Sequence, residues 1–286
     1  MSAPGYVVES LALLRGLAEG GMPLPRVRAL HLPPPPPPGG TRGEFCALEL
    51  DDGAIGLSYV LLGDTWAQLT AHAGRHLQPG DDALALAQGY ADGADTLRRT
   101  LGFAAVNALT RSLCDRAGFA PPRSADSLGG LDPRPGETIG MVGHFTPLLP
   151  RLVARGARVV VLELRADLVG ERDGVRVTLD PAELAGCAQV LATGTLLLNH
   201  SLEPVLAHCT AARQAGGFTL IGPSVGGPPD PLFARGVARL GGSWVEDPAR
   251  FVDALRAGTP AGDSVRKTML ARADWPGWDA LRQRPA

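Results

Sequence analysis

The chain almost lacks lysine: its 27 basic residues are 26 arginines and Lys267. A Schiff-base lysine, or the lysine of a phosphate-binding loop, would have to be Lys267. That residue lies in a polar tail far from any glycine-rich loop, so pyridoxal-phosphate chemistry and P-loop nucleotide hydrolysis are not expected. No apolar run approaches the length of a membrane span, so no membrane partner is expected. Glu9 precedes any basic residue and no signal-peptide pattern is present, which makes the cytoplasm the expected location. The four cysteines, Cys46, Cys114, Cys187 and Cys209, are scattered without a CxxC pair. They point to neither a zinc knuckle nor a disulfide framework, and small buried hydrophobes are expected. Net charge is only −2 with neither sign dominant, so no nucleic-acid partner is expected.

What is present is enough for two domains: 286 residues, 45% of them apolar. The organising stretch is 137–165, ETIGMVGHFTPLLPRLVARGARVVVLELR. Ile139, Met141 and Val142 suit a buried strand, bracketed by Gly140 and Gly143. Thr146 is placed to cap a helix opened by Pro147. Leu148, Leu149, Leu152 and Val153 give that helix an apolar face, and Gly156 stops it. Arg158 to Leu162 is then a second, fully apolar strand of the kind buried in parallel sheets, with Glu163 at its carboxyl end.

Before this unit, residues 5–20 read as an amphipathic helix stopped by Gly20 and Gly21. Val27 to Leu32 reads as a short strand, and Pro33 to Pro38 as an exposed polyproline loop. Residues 44–50 and 54–62 form a hairpin turned by Asp51, Asp52 and Gly53. His72 and His76 are spaced as a helical metal pair, but no third ligand is near and Gly74 weakens the helix, so a solvated loop is expected. Thr96 to Cys114 is a helix with a small-residue face of Leu97, Leu101, Ala104, Ala105, Ala108 and Leu109. Asn107 interrupts that face, either as an amide bonded to backbone or as a polar finger aimed at a ligand between domains. Residues 119–136 have the Pro, Gly, Ser and Asp content of a linker. The expected division is therefore 1–118, a linker at 119–136, and 137–286.

Strands and helices alternate through the second half. Strands are expected at 175–179 (an edge strand), 189–192, 217–221 and 242–245. Helices are expected from Asp180, over 202–214, over 230–239 and over 247–255. This argues a mostly parallel, doubly wound α/β sheet. The tail after residue 258 is polar apart from Trp275 and Trp278, and suits an added strand, an added helix or a contact between copies of the chain.

Ligands of such sheets bind outside the carboxyl ends of the strands. Three strand ends carry unusual residues: Gly143, His144, Phe145 and Thr146; Thr193, Gly194 and Thr195; Gly222, Pro223 and Ser224. They bring hydroxyls and backbone N–H groups to one crevice, suited to an anionic group or carbonyl. IGMVGHF is not a full GxGxxG fingerprint, so a dinucleotide held in the usual way is not expected. Glu163 stands where dinucleotide folds place a ribose-binding acid, but also where a helix cap or surface carboxylate would stand. His144 can be a general base, a metal ligand or a packed turn residue, and His200 beside Asn199 has the same three readings. His208, on a helix, reads as structural.

At these residues the chain resembles the putative heavy-metal chelation family of prokaryotes. The resemblance rests on LGFAAVNAL at 101–109, VGHFTP at 142–147, LEL at 162–164, ATGTLLLNHSLEPVL at 192–206 and IGPSVGGPPDPLFARGVARLGGSWVEDP at 221–248. It implies a small α+β domain like the N-terminal domain of enolase, joined to a Rossmann-like α/β domain. It also implies handling of a heavy metal or a chelator. Two departures stand out: His200 occupies a position often glycine in such proteins, and the prolines at 33–38 are a local elaboration. The expected partner is a small anionic or metal-chelating molecule, with a homo-oligomer also open. The expected ligand-binding residues are Asn107, Gly143, His144, Phe145, Glu163, Thr193, Gly194, Thr195, Asn199, Pro223 and Ser224. A transition metal, if held, would take His144, Glu163 and His200. An enzyme using NAD or S-adenosylmethionine in the same crevice is the alternative. The sequence assigns no catalytic residue.

Overall fold

The computed structural model describes residues 4–35, 44–124 and 128–284, with the side chains of residues 72–76 excepted. Half of the proline run (36–38) and the side chains of His72 and His76 therefore lie outside the described residues.

The first half is built around a long helix. Helix α1 (Gly5–Glu19) buries Tyr6, Val7, Leu11, Leu14 and Leu17 on one face. Glycines 20 and 21 end it, with the Met22 N–H reaching back to the Leu17 carbonyl at 3.0 Å. Its free first N–H groups, on Gly5 and Tyr6, donate to the carboxylate of Glu203. A distant acid thus satisfies a helix end that its own sequence leaves uncapped. Strands β1 (Val27–His31), β2 (Phe45–Leu50) and β3 (Ile55–Tyr59) form an antiparallel sheet in that order. The hairpin turns at Gly53, whose φ of +88° suits glycine.

Helix α2 (Thr65–His76) occupies the region where a solvated loop was expected. One glycine, Gly74, costs a helix about 1 kcal/mol, too little to melt three turns anchored by buried Leu69. Helix α3 (Ala83–Ala87) leads into α4 (Thr96–Arg116), capped by the Asp95 carboxylate on the Arg98 N–H. Sixteen of the 21 residues of α4 are buried, so contacts surround it rather than flank it. Glycines permit this. A Cβ on Gly56 of β3 would lie 2.1 Å from the Ala104 carbonyl, and one on Gly102 would lie 2.1 Å from the Tyr90 backbone nitrogen.

The second half is an eight-stranded sheet of β4 (Thr138–Val142), β5 (Arg158–Leu162), β6 (Gly170–Arg172), β7 (Val175–Thr178), β8 (Gln189–Thr193), β9 (Phe218–Ile221), β10 (Arg239–Val245) and β11 (Val265–Ala271). Its order is β11-β10-β9-β8-β4-β5-β7-β6. The six inner strands are parallel, and β6 and β11 close the edges antiparallel. The α/β class with a mostly parallel sheet is as the alternation of elements implies. The helices of this half are α5 (Leu149–Val153), α6 (Thr195–Leu198), α7 (Leu202–His208), α8 (Thr210–Gln214), α9 (Asp230–Ala234), α10 (Pro248–Ala257) and α11 (Trp278–Arg282).

Several boundaries differ from the sequence expectation. Thr146 caps no helix. Its hydroxyl bonds the His144 ring, residues 146–148 are a turn, and α5 starts at Leu149. The helix expected over 202–214 breaks at Cys209, which is buried. That expected over 230–239 ends at Ala234, because Gly236 at φ +85° turns the chain into β10. Strand β7 is not the edge, since β6 folds back along it. The tail supplies both an edge strand, β11, and a short helix, α11, whose Trp278 and Leu281 are buried.

The two sheets share one interior. A single apolar cluster runs from α1 and α4 to the Leu196–Leu198 and Leu202–Leu206 segments and on to Leu270 and Trp278. The Tyr6 and Tyr90 hydroxyls both donate to the Leu197 carbonyl, at 2.8 and 2.9 Å. Arg111 of α4 stacks on the Trp244 ring of β10 at 3.8 Å. Residues 122–124, inside the linker-like stretch, hydrogen-bond along β11 through Ser124 N–H to Lys267 and Met269 N–H to Pro122. All four cysteines are buried and free. Among the described residues no helix is long and apolar enough to cross a membrane.

Candidate functional site

Strand order reverses between β4 and β8: from β4 the chain proceeds outward to β5 and β7, from β8 to β9 and β10. A parallel sheet cannot close over such a reversal, and loops leaving the two central strands part to opposite faces. A crevice of about 510 Å³ opens there. Its floor is made by the carboxyl ends of β4, β5, β8 and β9.

Gly143 leaves β4 at φ +87°, with its N–H bonded to the Leu162 carbonyl; any Cβ would lie 3.2 Å from the Thr193 methyl. The next two residues, His144 and Phe145, face the crevice. The His144 Nδ1 lies 3.0 Å from the Thr146 hydroxyl, which fixes the ring, and Nε2 has no partner among the described residues. Glu163 lines the same space, and one of its oxygens accepts the Leu164 N–H at 2.7 Å. The Thr193 and Thr195 hydroxyls bond each other at 3.0 Å. Between them the Gly194 N–H donates to the Ile221 carbonyl at 2.7 Å, which pins β8 to β9 at their ends. The Asn199 side-chain oxygen Oδ1 accepts the Ser201 N–H and hydroxyl, and both residues reach the wall, as do Pro223 and Ser224.

Ten of the expected ligand-binding residues therefore meet at one crevice: Gly143, His144, Phe145, Glu163, Thr193, Gly194, Thr195, Asn199, Pro223 and Ser224. Asn107 does not join them. Its amide nitrogen donates to the Leu57 carbonyl at 2.8 Å and to the Ser224 carbonyl at 2.9 Å. It is 3% exposed and ties β3 to the loop after β9, which is the backbone-bonded reading of this residue. It fixes the crevice from behind and faces a separate small cavity of about 70 Å³.

The three-ligand metal set is not assembled. Among the described residues no group of three or more His, Cys, Asp or Glu is placed to hold a metal ion. His144 and Glu163 line the crevice, but His200 turns away from it. Its backbone is left-handed, φ +62°, and its ring packs edge-on to Tyr90 at 5.4 Å with Nε2 buried and unpartnered. Burial, then the nearby Arg99 charge, lowers its pKa from the usual imidazole value, which favours the neutral ring. The donors among the described residues do not fit a resident metal of complete coordination.

Sequence reading missed the opposite wall. Glu44 and Phe45 at the start of β2, Tyr59 at the end of β3, and Leu61 and Leu62 beyond it cover the crevice from the first half of the chain. Phe45 and Tyr59 stack edge-to-face at 5.6 Å. Burial raises the Glu44 pKa, and burial together with Glu44 raises that of Tyr59. The one sequence signal was an acid directly ahead of the apolar run 45–48 in EFCALEL.

Fold and crevice together define an α/β protein with a small-molecule-sized site at the switch point of a mostly parallel sheet. The chain belongs to the family described as "Putative heavy-metal chelation", whose model matches residues 127–273; a second model of the same description matches residues 43–110. A family protein of unknown function from Desulfitobacterium hafniense is similar in structure, with a TM-score of 0.65, 19% identity, and coverage of 94% of this chain and 98% of that one. Another, from Pyrococcus horikoshii, has a TM-score of 0.63 and 18% identity, covering 92% of this chain and 99% of that one. At such identities the likeness shows the fold. Muconate cycloisomerase from Pseudomonas fluorescens aligns with a TM-score of only 0.27, which carries no argument about the fold of the first half. No curated protein matches the chain.

Proposed function

We propose that this chain is a cytoplasmic protein that binds a small metal-chelating molecule, or its metal complex, in the crevice between the three-stranded and eight-stranded sheets. On this reading residues 1–118 and 137–286 are two domains that share the site. The observation that carries it is the crevice itself, in which loops from four parallel strands face a hairpin wall around His144 and Glu163. Because no three such donors among the described residues are placed around one ion, metal arrives with the bound molecule and leaves with it.

The test is elemental analysis beside melting curves for wild type and His144→Ala. Sub-stoichiometric metal is expected in protein purified without added ligand. His144→Ala is expected to weaken ligand capture while moving the melting temperature little, because the half-exposed ring packs no core. Full-occupancy metal surviving dialysis, or a large stability loss with capture unchanged, counts against this reading. The position of Glu163 at the end of β5 favours a second reading, an enzyme holding NAD or S-adenosylmethionine by a ribose. Low-micromolar binding of either compound in calorimetry, abolished by Glu163→Gln, would establish it in place of the first.

A further inference from the structure

We propose that the ligand of the crevice carries positive charge and is held between Glu44 on the hairpin wall and Glu163 on the sheet edge. This rests on the reading of the crevice as the binding site and adds the charge class of what enters it.

The lining charges are one-sided. Glu44 and Glu163 face the space from opposite walls, and no arginine or lysine among the described residues lines it. That contrast is sharp in a chain of 26 arginines. Elsewhere even acids more open to water have found cations: half-buried Glu203 and exposed Glu9 pair with Arg235 at 2.7 and 2.9 Å, and exposed Glu246 pairs with Arg266 at 2.8 Å. The Glu44 carboxylate has no hydrogen bond or ion pair among the described residues, although burial already penalises its charge. Glu163 uses one oxygen on the Leu164 N–H and makes no salt bridge among the described residues; exposed Arg165, which feels its charge, is itself paired with Asp167.

An unpaired carboxylate partly withdrawn from water is a standing cost that an entering cation relieves and an entering anion increases. The Phe45, Tyr59 and Phe145 rings around the two acids add faces that favour a cation with an apolar periphery. The anionic partner expected from the loop hydroxyls finds no arginine or lysine among the described residues here, and the Thr193 and Thr195 hydroxyls are engaged with each other. A cationic metal complex and an organic ammonium share this chemistry.

The experiment titrates the full chain at neutral pH by calorimetry with three probes: exchange-inert hexaamminecobalt(III), its trinegative counterpart tris(oxalato)cobaltate(III), and the metal-free dication putrescine. The variants are Glu44→Gln, Glu163→Gln, the crevice-filling Thr195→Trp, and Asp253→Asn on exposed α10 as a charge control. The cationic cobalt complex is expected to bind at least about tenfold more tightly than the anionic one at about 0.15 M salt. Each glutamine substitution is expected to weaken it about three- to tenfold, and Asp253→Asn is expected to leave it unchanged. Putrescine binding with the same glutamate dependence identifies an organic ammonium as sufficient; its absence assigns the site to the metal complex. Tighter binding of the oxalate complex, no binding of the ammine complex, or indifference to both glutamines overturns the proposal. If Thr195→Trp removes binding while the glutamines do not, only the charge inference falls. If Thr195→Trp leaves binding intact, the crevice itself is the wrong site.

Discussion

His200 offers the sharpest test of how the loop after β8 is built. Its φ of +62° places an L-residue in left-handed backbone, which costs about 1–2 kcal/mol that glycine does not incur. Its ring contributes an edge contact to Tyr90, worth about 0.5–1.5 kcal/mol, but leaves Nε2 buried without a partner at a comparable cost. His200→Ala loses the contact and keeps the strain, whereas His200→Gly loses both. The glycine variant should therefore be more stable than the alanine variant by about 1–2 kcal/mol, or about 2–6 °C in a chain of this size. Acidity adds a second signature. Burial and the Arg99 charge lower the His200 pKa from its usual 6.5. Between 6.5 and the lower folded value the unfolded chain binds more protons, so stability falls as pH drops through that window. In His200→Gly that part of the acid sensitivity should vanish. Urea unfolding of the three proteins from neutral pH to about pH 5 measures both effects. An alanine variant as stable as the glycine variant would refute the strain argument, and an unchanged pH slope would refute the burial argument.

Two other substitutions probe the joints behind the crevice. Asn107→Ala strands the buried Leu57 and Ser224 carbonyls together and should cost about 2–4 kcal/mol in denaturant unfolding; a loss under about 0.5 kcal/mol would mean that the bridge is not a structural tie. Gly56→Ala drives a methyl into the Ala104 carbonyl and the Ala108 nitrogen, so α4 must lift from β3; a loss above about 3 kcal/mol is expected, read as a fall in melting temperature or in soluble yield.

The sheet and its site edge were legible because parallel strands announce themselves as short apolar runs between helices, and because glycine and hydroxyl residues at strand ends have few other uses. Thus 139–142, 158–162, 189–192 and 217–221 fall on β4, β5, β8 and β9, and their loops meet. The failures share a cause. Whether Asn107 points at a ligand or at backbone depends on what lies across from it, and a helix pattern does not encode its neighbour. His200 looked equivalent to His144 because both follow a strand end. One extra turn of helix, α6, lies between β8 and His200, and the positive φ there swings the ring toward Tyr90. The hairpin wall was invisible as a site because its residues are ordinary for a hairpin and gain meaning only when α4 docks them over the sheet.

That docking makes binding and stability one problem. The two walls of the crevice belong to different sheets, held in register by α4, by the Tyr6 and Tyr90 hydroxyls on Leu197, and by Asn107. A ligand that touches both walls favours only the docked arrangement, so it must stabilise the chain as it binds, by about 2.7 kcal/mol at a hundredfold excess over its dissociation constant. The same linkage runs backwards. Loosening the joint at Asn107 lowers the fraction of chains with both walls in place, and apparent affinity falls by that fraction although Asn107 lines no part of the crevice. Substitution at Glu44 removes a contact from one wall without loosening the joint, so affinity should fall with no loss of stability. Asn107 and Glu44 variants therefore separate a site that the fold holds open from one that a single wall supplies.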